Sequence, residues 1–260
     1  MAEKTPRILG IDSSGLVAGV AVTEGDVLLA EYTTNYKKTH SQTLLPMLDE
    51  LCRMVELDMN TLDAIAIASG PGSFTGLRIG SGTAKGLGLA LNKPLVEVPT
   101  LEGLAWNLWG AGGIVCPMMD ARRNQVYTAA YMYEQQGTGY GICEKMPPCA
   151  MDVAELLDRL NGMGERISFL GDGVPVYQEL IQKCCSVPYV IAPAGLNRQR
   201  AAGIAALGSI YFAGGRTVPA GEHRPEYLRK SQAEREKAAG EWMWEEGRMG
   251  AERGWGAGGG

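Results

Sequence analysis

The chain has 260 residues, enough for one large or two small domains, and its 45% hydrophobic and 20% charged content is that of an ordinary globular protein. Asp and Glu outnumber Lys and Arg by 29 to 24 and no basic run stands out, which argues against a chain that holds nucleic acid by itself. No charged start leads into an apolar core and cleavage site, and the longest uncharged stretch, 103–119, contains Asn107, Pro117 and several glycines, so the expectation is a cytoplasmic protein without a membrane span.

Residues 8–12 form a short apolar run closing on Asp12. A Ser-Ser-Gly turn, an apolar run over 16–22, a TEGD turn and a third run over 27–34 follow. Short β-type runs joined by tight turns predict three antiparallel strands. The stretch HSQTLLPMLDELCRMVEL places Leu44, Leu48, Leu51 and Val55 at helical spacing and predicts an amphipathic helix with Pro46 near its start. AIAIA at 64–68 reads as a buried strand. SGPGSFTGLRIGSG at 69–82 turns from it into a helix over 75–91, with Ser73 and Thr75 as candidate caps. A strand at 95–98 comes next, then a helix capped by Thr100 that runs to 109.

The pattern then restarts. An apolar strand over 114–120 ends on Asp120, an ARRN turn follows, 125–133 alternates in β fashion and 140–145 gives a third strand. Asp152 and Glu155 form a capping box at the start of a helix. A strand at 167–170, a Gly-Asp-Gly turn, a helix over 174–184, a strand at 189–191 and a helix from Asn197 to 212 complete the run. Strand, Asp, turn, strand, strand, helix thus occurs twice, with Asp12 and Asp120 in equivalent places. The order predicts an α/β chain of two related subdomains, 1–110 and 111–237. After Lys237 comes an unpatterned stretch with three tryptophans and terminal glycines, and disorder is expected over 238–260.

Two chemistries suit Asp12 and Ser13. An acid at a strand end beside small hydroxyl residues can place a metal-bound phosphate, or it can close a hairpin by accepting from its own backbone. The glycine-rich turn is equally double. A helix start after a strand is an anion site, yet no Gly-Lys-Ser/Thr follows and the G-x-G-x-x-G pattern is absent. Gly76, Gly80 and Ala84 recur at four-residue spacing, as do Gly82, Gly86 and Ala90. Glycine costs about 1 kcal/mol against alanine inside a helix, so these rows are read as room for a second helix, the chain's own over 44–55, one from a second chain, or both, and mainly for one from a partner. His40 and His223 are the two histidines and stand far apart, and no cysteine pair has C-x-x-C spacing, so no metal site and six free thiols are expected. Asp120, Arg122 and Arg123 suit a salt-bridged turn better than a catalytic set. Ser73 has no base near it in sequence, which leaves a protease reading without support.

GPGSFTGLRIG resembles the TsaB family of the bacterial tRNA threonylcarbamoyladenosine machinery. ILGIDSS, HSQTLLPML, AKGLGLALNKPLVEVPTLEGLA, MMDARRNQVY and RPEYLRKSQAEREK are similar to further landmarks of it, and together they span 7–237. The resemblance implies an actin-like ATPase, ribonuclease H-like fold: two related subdomains of mixed sheet flanked by helices. It implies an assembly subunit for N6-threonylcarbamoylation of the adenosine adjacent to the tRNA anticodon. The catalytic paralogue TsaD would be bound through a helical bundle, with Leu44, Leu48, Leu51, Thr75, Gly76, Arg78 and Gly82 at the contact. A TsaE-like ATPase would join the complex, tRNA would be met only through it, and the isolated chain would form a homodimer. No cofactor of its own is implied. ATP or ADP with Mg would sit at a joint interface, faced by Asp12, Ser13, Ser73 and Asp120. TsaD-type chains carry H-x-x-x-H, whereas here His40 is followed by Leu44, which implies a subunit without catalytic activity. The alternative is a nucleotide-dependent phosphotransferase or ATPase of the actin-like class, with Asp12, Ser13 and Asp120 facing the phosphates.

Overall fold

The computed structural model describes residues 5–228 apart from Lys37, Lys38 and Thr138, and the tail expected to be disordered over 238–260 lies outside the described residues. The first sheet contains β1 (Arg7–Asp12), β2 (Ala18–Glu24), β3 (Val27–Thr34), β4 (Ala64–Gly70) and β5 (Leu95–Pro99), in the order β3-β2-β1-β4-β5. The second contains β6 (Ile114–Asp120), β7 (Gln125–Gln136), β8 (Gly139–Asp152), β9 (Ile167–Leu170) and β10 (Tyr189–Ile191), in the order β8-β7-β6-β9-β10. In each, three antiparallel strands come first and two parallel ones are added beside the opening strand. The two sheets therefore match strand for strand, which is the duplicated mixed sheet of the actin-like fold.

Both faces of the first sheet are covered, which is why β1 and β4 read as continuous apolar runs. Alternation divides them. Leu9, Ile11, Ile65 and Ile67 pack with Leu44, Leu48 and Leu51 of α1 (His40–Met54) and Ala84 of α2 (Phe74–Leu91). Ile8, Ala64, Ala66 and Ala68 pack with Ile204, Leu207 and Tyr211 of α7 (Ala201–Ala213). The alanines of AIAIA matter there: Gly208 lies against Ala66, and a side chain on Gly10 would collide with Ala201 O and Ala205, so this helix sits unusually close to the sheet.

On the second sheet Val153, Leu156, Leu157 and Leu160 of α4 (Val153–Met163), with Ile181 of α6 (Gln178–Cys184), cover one face. Leu101, Leu104 and Ala105 of α3 (Thr100–Ala105) cover the other, against Val115, Met119 and Tyr131. The inner helices are thus exchanged: α3 follows the first sheet and packs on the second, and α7 follows the second and packs on the first. Val218 also returns to the first sheet, exchanging both backbone hydrogen bonds with Leu95 at 2.9 Å. The described chain as far as Tyr227 is one compact unit.

Several element boundaries differ from the sequence expectation for local reasons. Thr100 does not cap α3; Pro99 precedes it, and Thr100 Oγ1 accepts the Gly70 N–H at 3.1 Å. The last helix begins at Ala201 rather than Asn197, because Asn197 O accepts from Gly171 N–H and Arg198 O from the Asn107 amide. The helix expected over 174–184 is two, α5 (Gly173–Val176) and α6, parted at Tyr177. Asp152 caps α4 through the Ala154 N–H, but Glu155 pairs with Arg159 instead of closing the box. All six cysteines are free thiols, and among the described residues no helix is long and apolar enough to cross a membrane.

Candidate functional site

The turns that follow the two opening strands meet across a cleft of about 440 Å³, lined on one side by Ser14, Gly15, Gly72 and Ser73 and on the other by Asp120 and Arg122. Each strand-end acid folds its own turn in the same way. Asp12 Oδ1 accepts the Ser14 N–H at 2.8 Å, and Asp120 Oδ1 accepts the Arg122 N–H at 2.9 Å. The hairpin-closing role weighed for Asp12 is the one the geometry gives it.

Their surroundings differ. Asp12 is 2% exposed and Oδ1 also accepts the Ser14 hydroxyl at 2.6 Å. Burial pushes its carboxyl up to about 6, against the opposing pull of the two Ser14 hydrogen bonds and His40. Ser13 is equally buried, and its hydroxyl donates to Gly76 O at 2.9 Å. Neither residue lines the cleft; Ser73 and Asp120 do. Asp120 is joined there by residues far away in sequence. Its N–H donates to Asp172 Oδ1 at 3.2 Å, and the Tyr177 hydroxyl donates to its Oδ1 at 3.3 Å. Burial raises the Asp172 carboxyl. Gly171-Asp172-Gly173 was visible only as a turn, since fifty-two positions of chain hide its approach to Asp120. Arg122, Arg123 and Asn124 all have positive φ, at 65°, 57° and 60°, a left-handed run without glycine that forms the second turn.

The glycine-rich stretch is shaped by the first turn. Ser73 N–H donates to Ser14 O at 2.6 Å, and Ser73 Oγ caps α2 by accepting the Gly76 N–H at 3.3 Å. Side chains at Gly72, Gly76 and Gly80 would collide with Ser14 O, Ser13 O and Ser13 Oγ in turn. Gly76 and Gly80 thus make room for the chain's own β1–β2 turn, not for a helix from elsewhere as the spacing suggested. The second row is different: a Cβ on Gly82 or Gly86 would meet nothing within 4 Å.

The seven residues expected at a partner contact separate in the same way. Leu44, Leu48 and Leu51 are at most 5% exposed and belong to the core between α1 and the first sheet, and Gly76 is buried. Their side chains serve this fold. Thr75, Arg78 and Gly82 are exposed, with the Arg78 guanidinium stacked 4.1 Å over the Phe74 ring. Leu45 and Met54 of α1 and Leu89 of α2 are more than half exposed.

These landmarks have counterparts in known proteins. A family model described as TsaD, tRNA N6-adenosine threonylcarbamoyltransferase, matches residues 27–237. The tRNA threonylcarbamoyladenosine biosynthesis protein TsaB of Bacillus subtilis is 34% identical over 87% of this chain and 96% of its own length. Its Escherichia coli namesake is 30% identical over the same shares. The chain belongs to the TsaB family. A solved structure from Pseudomonas aeruginosa, described as an uncharacterized protein with similarity to peptidase YeaZ, overlays with a TM-score of 0.69 at 25% identity, covering 86% of this chain and all of that one.

Set in the TsaB family, His40 has a structural task. Its Nε2 bonds Gly15 O at 2.8 Å, and four residues on Leu44 is buried in the core. Among the described residues no group of three or more His, Cys, Asp or Glu side chains could hold a metal ion. Asp12 is enclosed with Ser14 and α2's first turn is closed on Ser13 and Ser14, so the first turn by itself offers no open cradle for a phosphate, and across the cleft Arg122 stands beside Asp120 and Asp172.

Proposed function

We propose that the chain serves N6-threonylcarbamoylation of the adenosine beside the tRNA anticodon as the non-catalytic subunit that holds a TsaD-type catalytic partner. The observation that carries this reading is the likeness to TsaB proteins over nearly nine-tenths of the chain. Exposed apolar side chains of α1 and α2 support it further. Leu45, Met54 and Leu89 stand out of the helices, and Gly82 and Gly86 leave a surface without side chains on which a helix from another chain can lie. The partner supplies the transfer chemistry; a TsaE-type ATPase and tRNA join in the same assembly. ATP or ADP with Mg binds, on this reading, only where the partner closes the cleft. When isolated, the chain pairs with itself through the same helices or through another surface.

Lysine at Leu45 and Leu89 tests the contact without touching the core, which Leu48→Asp would not do. The double variant is expected to keep the wild-type circular dichroism and unfolding midpoint, to bind the partner at least 100-fold more weakly, and to fail to restore threonylcarbamoyladenosine in cells lacking the native protein. Full restoration with unchanged binding would place the contact elsewhere. Magnesium-dependent ATP turnover by the purified chain, abolished by Asp12→Asn, would overturn the non-catalytic assignment.

A further inference from the structure

Beyond α7 the chain turns back to the first sheet, and residues 217–227 form a strap with no helix or regular strand of its own. It follows α2 from the last turn of that helix to the first, and each hold on it is specific. Val218 exchanges backbone hydrogen bonds with Leu95. Ala220 is buried, and a side chain on Gly88 of α2 would collide with it. The His223 carbonyl accepts from Lys85 Nζ at 3.2 Å. Glu226 N–H donates to Ser69 O at 2.7 Å, and the Tyr227 ring lies 4.9 Å from that of Phe74, the first residue of α2. In the middle of the strap His223 is 1% exposed, and its Nδ1 stands 2.6 Å from Glu97 Oε1 of β5. A carboxylate accepts, so Nδ1 carries the hydrogen of this bond. Nε2 is buried without a partner among the described residues. An apolar side chain would fill the same place and leave no nitrogen unpaired, so what the histidine adds is a fixed register of the strap on β5.

We infer that His223 is a positioning residue for the partner contact: by pinning the strap between β5 and α2 it sets which residues of α2 face outward. The inference rests on the proposed role of α1 and α2 in holding the partner. Glycine occupies five of the eighteen positions of α2, so few side chains fix the rotation of this helix on the sheet. The strap supplies that restraint through Ala220 at Gly88, the His223 carbonyl at Lys85 and Tyr227 at Phe74. Successive helix residues point about 100° apart, so even a part-turn of α2 would carry Gly82, Gly86 and Leu89 away from the surface they now form. Arg78, expected at the contact, is tied to the same restraint, because its guanidinium stacks on the Phe74 ring that Tyr227 also touches.

Amide exchange of the isolated chain and calorimetric binding of the TsaD-type partner to the full chain test this together. His223→Leu keeps the buried shape and removes Nδ1; His223→Asn returns an N–H for Glu97. The leucine variant is expected to unfold cooperatively, to exchange the amides of 74–78 about tenfold faster and to bind the partner about tenfold more weakly, and the asparagine variant to recover most of both losses. Tyr227→Ala changes a surface residue and leaves His223 in place, so it reads the same two effects even where the leucine variant does not fold. Exchange and affinity like the wild type in both Tyr227→Ala and His223→Leu overturn the inference. Faster exchange with unchanged affinity overturns it too, since the strap would then serve the fold alone. Leu45→Lys/Leu89→Lys is the reference. If that variant binds like the wild type, it is the contact on α1 and α2 that fails, and the inference falls with it.

Discussion

At Asp12 a carboxylate sits where water does not reach, held by a backbone N–H and a hydroxyl of Ser14. Its pKa in the folded chain, about 6, exceeds the ordinary carboxylate value. The native state therefore binds this proton more tightly than the unfolded state between pH 4 and 6, and stability falls as pH rises through that window and is level above it. Two pH units correspond to about 3 kcal/mol. Asp172 and Glu102, also raised by burial, add to the slope with the same sign. Asp12→Asn keeps an oxygen for both Ser14 donors and removes the buried charge. Urea unfolding from pH 4 to 8 is expected to give a flatter profile for the variant, and at pH 7 a stability equal to the wild type or up to about 3 kcal/mol higher. A loss at pH 7 would mean that the charge itself is needed by the turn. The sequence made Asp12 legible as a residue of interest because of its place at a strand end. It could not show whether the carboxylate faced a ligand or its own turn, since that depends on α2 closing over it from more than sixty residues away.

Element by element, helix α2 shows most plainly what residue spacing can and cannot say. Its two rows of small residues are equivalent on paper. One lies on Ser13, where a side chain on Gly76 would strike Ser13 O and one on Gly80 would strike Ser13 Oγ, and Gly82 and Gly86 of the other face open space. Periodicity identifies rows, but which row meets the chain's own turn is decided by the β1–β2 hairpin. Substitution separates them. Gly82→Ala and Gly86→Ala add methyl groups that touch nothing, and helix propensity favours each by up to about 1 kcal/mol. Gly76→Ala places a methyl against Ser13 O and is expected to cost about 1–3 kcal/mol from overpacking. If the open row is the partner seam, Gly82→Ala/Gly86→Ala raises the urea midpoint of the isolated chain and weakens partner binding by about tenfold, roughly 1.4 kcal/mol. A stabilised double variant with unchanged affinity would remove these glycines from the seam. The amphipathic pattern of α1 is one-sided in the same way. Leu44, Leu48 and Leu51 mark a buried face correctly, but the burial is against β1, β2 and β4, while Leu45 and Met54 beside them face outward.

Across the whole molecule, the duplication was readable because each half repeats the same order of short runs and strand-end acids, and order survives even where side chains have diverged. The exchange of inner helices was not readable, because α3 and α7 are each apolar and either could cover either sheet. A division at 110/111 follows the sheets and cuts through this exchange. Residues 1–110 would keep the first sheet with α1 and α2 but lose α7, leaving Ile8, Val96 and Val98, all fully buried in the chain, open to water. Each such side chain contributes about 1.5–3 kcal/mol through burial, and the alanines beside them add to the exposed face. For the three together that is about 5–9 kcal/mol, comparable to the whole stability of a typical domain. Leu101 and Leu104, meanwhile, would have no second sheet to cover. The fragment 1–110 is therefore expected to bind a hydrophobic dye and to unfold in urea without a cooperative transition. Mixing it with the fragment 111–228 should restore a single transition, because the second fragment returns α7 and receives α3. A sharp, dye-free transition from 1–110 alone would show that the first sheet closes its core without α7, and the halves would then be independent folding units.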